Sequence, residues 1–231
     1  MPNWCYSTIV FRGDAQEVRT LYNLLDDCET HPEQFANSKY PKTDFGSKWL
    51  GYPLVKVGLQ DCINSANAER NLKCRGEILD FEYHRYENSD EADLMIQTYT
   101  AWCPMIQMWN AILKKLNLNS VKFCVEAEEP GCEIYVIYNP DNLDYFDNEE
   151  IYVDTYLSEP SLCPRLIQEF NENRYMNEDE FLSMVSKAAE RKITDFKEAV
   201  DYVESFNDKI GEDDFVYVHR YERDDDIDNY C

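Results

Sequence analysis

Period-two alternation is the feature that most constrains what this chain can become. Between residues 77 and 86, Leu79, Phe81, Tyr83 and Arg85 alternate with Asp80, Glu82 and His84, the pattern of a strand with one face in a core and one in solvent. Val121, Phe123 and Val125 mark one face of a second such strand over 120–127. Trp4 to Phe11 is β-branched and aromatic and runs up to Gly13, and Leu94 to Trp102 reads as a strand returning from the Asn88-Ser89-Asp90 turn. Helical spacing interrupts these strands twice. Asp14 with Glu17 three residues on is an acidic capping box, and Val18, Leu21, Tyr22 and Leu25 line one face as far as Cys28. Pro104 suits a first helical turn, followed by Met105, Trp109, Ile112 and Leu116 at helical spacing. Glu133 to Tyr138 can close a hairpin across Glu129-Pro130-Gly131.

The resulting order is β-α-β-β-α-β plus one strand. It predicts an α+β fold, a ferredoxin-like βαββαβ antiparallel sheet with two helices on one face. The expected division is a ferredoxin-like domain over 1–139, with a long polar insertion at about 30–75, and an acidic C-terminal extension over 140–231 of mixed strands and helices. In the extension, Ile151 to Leu157 reads as a strand, and Pro164 opens a helix to about Glu172. Further helices are expected from Asn177-Glu178-Asp179-Glu180 and around Phe196, Val200, Val203 and Phe206, then a last strand from Phe215 to Tyr221. His84-Arg85-Tyr86-Glu87 recurs as His219-Arg220-Tyr221-Glu222, too short a match to imply a duplication.

Charge bounds the partners. The chain carries 46 acidic and 22 basic residues, net -24, and residues 140–231 are its more acidic part. Such a surface repels nucleic acid and acidic membranes and attracts basic proteins and cations. Apolar runs are short, and the opening Met1-Pro2-Asn3-Trp4-Cys5 has no signal-peptide character, so a cytoplasmic location is expected. Nine cysteines at 5, 28, 62, 74, 103, 124, 132, 163 and 231 include no Cys-x-x-Cys pair. They read as buried thiols, and with only three histidines no metal site or cofactor is expected. Glycines are few and do not cluster, which argues against a phosphate-cradling loop.

Three separated aromatic motifs carry a resemblance: Met1-Pro2-Asn3-Trp4-Cys5, Phe45-Gly46-Ser47-Lys48-Trp49 and Thr100-Ala101-Trp102-Cys103-Pro104. With the acidic stretch and aromatic strand of Glu126 through Tyr135, the chain resembles the YubB-type ferredoxin-like family over about residues 1–139. In that family Ser-Pro usually follows the Thr-Ala-Trp; here Cys103 stands in for the serine. The resemblance implies an accessory protein of phages, plasmids and other mobile elements, and brings no catalytic residues with it. Trp4, Trp49 and Trp102 could form a ligand platform, but tryptophans at strand ends are more often core anchors.

The leading expectation is a non-enzymatic acidic protein-interaction module, one form of which is a nucleic-acid mimic that inhibits a host restriction or CRISPR protein. Its partner would be a basic surface, with Asp213, Asp214, Glu222, Asp224, Asp225, Asp226 and Asp228 as the contact residues. Acidity serving only solubility is the plain alternative. Asp224, Asp226 and Asp228 have the spacing of a calcium-loop opening but lack its glycine and closing glutamate. The enzymatic alternative is a small-substrate enzyme using a cysteine or a carboxylate pair. It takes Cys103 at a helix N-terminus with His84 as base, or Glu126 and Glu128 on one strand face.

Overall fold

β1 (Trp4–Asp14) is the organising strand, and its alternation explains why. Cys5, Ile9 and Phe11 turn to one side and are completely buried, while Tyr6 on the other side is exposed. The computed structural model describes residues 3–31, 45–63, 65, 71–132, 134–146 and 150–224. The described chain is α+β, and it divides into two units, Met1–Tyr145 with Arg223–Cys231, and Phe146–Glu222. The first unit therefore runs a few residues beyond 139, and of the described residues at the other end Arg223 and Asp224 belong with it.

In the first unit, β1 lies between β3 (Glu91–Ala101) and β4 (Lys122–Glu129), antiparallel to both. β2 (Gly76–Arg85) pairs with β3, and β5 (Ile134–Tyr138) pairs with β4. The short β9 (Glu222–Arg223) completes a six-stranded sheet of order β2-β3-β1-β4-β5-β9. Asp224 N–H donates to the Ile137 carbonyl at 3.2 Å.

α1 (Ala15–Thr30) starts where the sequence places it, because Asp14 accepts from the Gln16 and Glu17 amides at 3.0 and 3.1 Å. Glu17 bonds elsewhere, accepting from the Ser120 amide and hydroxyl, both at 2.9 Å, and Ser120 in turn accepts from the Asp14 amide. The helix start is thus tied to the loop before β4.

α3 (Ile106–Leu116) begins later than Pro104 suggests, since Met105 takes a left-handed conformation ahead of it. Between α1 and β2, the polar insertion holds the short α2 (Gly51–Lys56) and two 3-10 turns among its described residues. Val18, Leu21 and Leu25 of α1 and Ile106, Trp109 and Ile112 of α3 share one core with Ile9, Phe11, Leu94, Ile96 and Val125. Phe11 stacks on Phe123 at 5.2 Å and meets Trp109 edge-on at 5.4 Å. A bulge between Ile78 and Asp80 breaks the regular alternation in β2, so Ile78 rather than Leu79 is buried beside Phe81's face.

The second unit has its own core. β6 (Ile151–Tyr156) sits between β7 (Tyr175–Met176) and β8 (Phe215–Arg220), antiparallel to both. α4 (Arg165–Glu172), α5 (Glu178–Ala188) and α6 (Phe196–Glu204) supply Ile167, Phe170, Phe181, Val185 and Val203 against Ile151, Val153 and Val216. Asn177 caps α5 through the Glu180 amide at 2.9 Å, and Asp195 caps α6 through that of Glu198 at 2.8 Å. No described helix is long and apolar enough to cross a membrane.

Phe181 is fully buried and stacks on Phe170 at 5.7 Å, with Phe196 at 5.6 Å. Phe181→Ala is expected to lower stability by about 3–5 kcal/mol in urea unfolding, through lost burial and the cavity left behind.

Candidate functional site

The sheet of the first unit has two unlike faces. The face opposite α1 and α3 carries the even-numbered side chains of β1, and strand register sets their neighbours. Reading across β2, β3, β1 and β4, one row is Glu77, Tyr99, Tyr6 and Glu128. The next is Asp80, Gln97, Thr8 and Glu126; then come Glu82, Met95, Val10 and Cys124, and last His84, Asp93, Arg12 and Lys122. In the first two rows carboxylates stand on both outer strands, with aromatic and uncharged side chains between them; in the third only β2 carries one. Alternate residues in such a file lie about 7 Å apart, and files three strands apart lie about 14 Å apart. Tyr6 is 52% exposed and Met95 39%. Beyond Met95 in the third row and towards β5 the face closes, since Val10, Cys124, Tyr135 and Ile137 are buried.

One end of this face is locked by a polar cluster. Arg12 Nε donates to Asp93 Oδ1 at 2.9 Å and Arg12 Nη2 to Oδ2 at 3.1 Å, a two-point clamp. The same Nη2 reaches the Tyr86 and Tyr145 hydroxyls at 2.8 and 3.1 Å, and both hydroxyls donate to Asp93. Burial alone would raise the Asp93 pKa, but the hydrogen bonds from Arg12, Tyr145 and Tyr86 outweigh it and hold the carboxyl below its ordinary value. Tyr145 is pushed up, by burial first and then by its bond to Asp93. At the other end, Trp4 stacks on Tyr99 at 4.9 Å and Tyr6 meets Tyr99 at 5.4 Å.

The residues expected to act together are mostly apart. Cys103 is disulfide-bonded and buried, so it presents no thiolate, and it lies three residues before α3 rather than in its first turn. His84 pairs across to Asp93 while the β3 end near Cys103 is Ala101. Eight residues of strand, about 26 Å, separate those positions. The nucleophile and base expected from sequence therefore do not meet.

Glu126 and Glu128 do share the open face, both half-buried. Asp213 and Asp214 precede β8 while Glu222 follows it, about 20 Å away along the strand. Asp214 accepts from the Ser158 amide at 2.8 Å, which lowers its pKa and gives it a structural task. Asp224 is half-buried beside β5. Asp225, Asp226 and Asp228 lie outside the described residues. Among the described residues no group of three or more His, Cys, Asp or Glu side chains could hold a metal ion.

Trp49 is a core anchor at 7% exposure, but Trp102 is not: it is 47% exposed. Tyr6, Met95, Tyr99 and the Arg12 cluster were not singled out from sequence. Their signal was the other half of the alternation, since every second residue of β1 must face away from the core. No family model, no curated protein and no solved structure matches the chain.

Two outcomes follow from this geometry. Asp93→Asn leaves Arg12 only the exposed carboxylate of Asp144, 3.8 Å away, as counter-charge and is expected to cost about 3 kcal/mol near neutral pH. Because the folded pKa of Asp93 is lowered, its contribution is complete above the unfolded carboxyl value, about pH 4, and is lost as pH falls through the folded value. Urea titrations across pH 2–7 should therefore show a shallower acid loss in the variant. The second outcome concerns thiols. Burial pushes Cys5 up to about 11 and Cys28 and Cys74 up to about 12. Alkylation of these three at pH 8 is expected to run at least about a hundredfold slower than a model thiol, with mass spectrometry locating the label.

Proposed function

We propose that the chain is a non-enzymatic interaction module that receives a basic protein surface on the helix-free face of its sheet. The observation that carries this reading is Tyr6 and Met95 standing exposed between strands bearing Glu77, Asp80 and Glu82 on one side and Glu126 and Glu128 on the other. Apolar anchors surrounded by charge of one sign are what a specific, electrostatically steered contact needs. The net charge of -24 extends the attraction beyond the contact itself.

The partner we favour is a protein that binds nucleic acid, because Lys and Arg placed to hold phosphates meet carboxylates equally well. We read β1-α1-β2-β3-α3-β4 as a ferredoxin-like βαββαβ core, supported by the spatial order β2-β3-β1-β4 and the antiparallel pairing of each neighbour. The YubB-type resemblance agrees with that reading, and with it comes the role of a mobile-element accessory protein working in the cytoplasm against a host restriction or CRISPR protein. The enzymatic alternative finds less support, since Cys103 and His84 stand apart.

Affinity capture from a host lysate tests the proposal, at about 50 mM and about 500 mM salt. A basic nucleic-acid-binding protein should be retained at low salt, released at high salt and displaced by duplex DNA. Tyr6→Ala with Asp80→Asn and Glu82→Gln should weaken retention about tenfold or more. An empty low-salt eluate, or equal capture by the triple variant, overturns it.

A further inference from the structure

A second feature of the first unit points to a small-molecule site independent of the acidic face. A cavity of about 480 Å³ opens among Phe45, Trp49, Asn71, Lys73, Arg75 and Trp102, a volume within the range of ligand pockets. Asn71, Lys73, Cys74 and Arg75 all line the cavity, with Lys73 and Arg75 exposed and Cys74 buried, while Leu72 packs against the core. None of the described lining residues is acidic, although the chain has twice as many acids as bases. Among the described residues, two cations and three aromatic rings gather there without a carboxylate, a local exception to the charge of the whole molecule.

Three details suit the cavity to an occupant. Arg75 places its guanidinium 5.4 Å from the Trp102 ring centre, leaving its edge donors available to an anion. Trp102 is held at φ 69° and Met105 at φ 57°, left-handed conformations that cost a side-chain-bearing residue energy and recur at binding sites. Trp102 is about half-exposed despite its size. From these we infer that the cavity binds a small planar aromatic anion, its ring against Trp102 and its phosphate or carboxylate on Lys73 and Arg75.

Calorimetry on the full chain tests this with four probes: adenosine 5′-monophosphate, 4-hydroxybenzoate, adenosine and inorganic phosphate. At least one of the first two should bind saturably at one site per chain. Binding of the nucleotide alone identifies phosphate as the anion, and of the benzoate alone carboxylate. Adenosine and inorganic phosphate, each lacking half of the chemistry, should bind about tenfold or more weakly. Lys73→Gln with Arg75→Gln changes exposed side chains only and should weaken binding about tenfold or more, as should Trp102→Ala. The inference is overturned by no saturable heat from either anion up to about 10 mM, by adenosine binding as well as its monophosphate, or by an unchanged affinity in the double variant.

Discussion

The register of β1 is the constraint on which the first unit depends. Ile9 opposite Ile96 and Val125, and Phe11 opposite Leu94 and Phe123, place the core on one face. The same pairing puts Tyr6 beside Tyr99 and Arg12 beside Asp93 on the other. A slip of one residue would send Tyr6 and Arg12 inward and Ile9 and Phe11 into solvent. The Arg12–Asp93 clamp opposes such a slip in a way that apolar packing cannot. An arginine out of register would lose both carboxylate oxygens and two tyrosine hydroxyls at once. Fold and surface are therefore specified by one alignment.

Acidity has more than one use in this molecule. A net charge of -24 disfavours a compact state through self-repulsion. Exposed pairs such as Arg165–Glu169 and Lys122–Asp141 do little to offset that, since surface ion pairs are worth about 0–1 kcal/mol. Part of the charge is instead placed where the backbone welcomes it. Asp14 and Asp195 cap helices, and Glu178, Asp179 and Glu180 occupy the first turn of α5, where the helix dipole favours negative charge. Asp80, on the open face, also accepts from a backbone amide, that of Phe81 at 2.9 Å; Glu82 on the same face has no such task, and that distinction separates structural acidity from acidity that a partner can use.

The strands and helices were legible because each was written in its own period. Ile151–Tyr156, Glu178–Ala188 and Phe215–Arg220 fall close to where branched residues, caps and spacing put them. What escaped was conformational. A bulge shifted the inward residue of β2 from Leu79 to Ile78, and left-handed Met105 delayed α3 past Pro104. Neither leaves a mark in periodicity. The site was less legible because sequence proximity was a poor guide to spatial proximity. Cys103 and His84 belong to one hairpin yet sit at opposite ends of it. Arg12, Asp93 and Tyr145 are far apart in sequence and meet in one cluster.

The two surfaces of the first unit have opposite electrostatic characters yet share a wall. Trp4 stacks on Tyr99 of the acidic face and meets Phe45 of the cavity edge-on at 5.9 Å. Phe45 and Trp102 line the cavity together, and the Trp102 amide donates to the Asn3 carbonyl at 3.0 Å, next to Trp4. The aromatic motifs spread along the sequence are thus neighbours for a physical reason: they form the partition between a cationic cavity and an acidic sheet face.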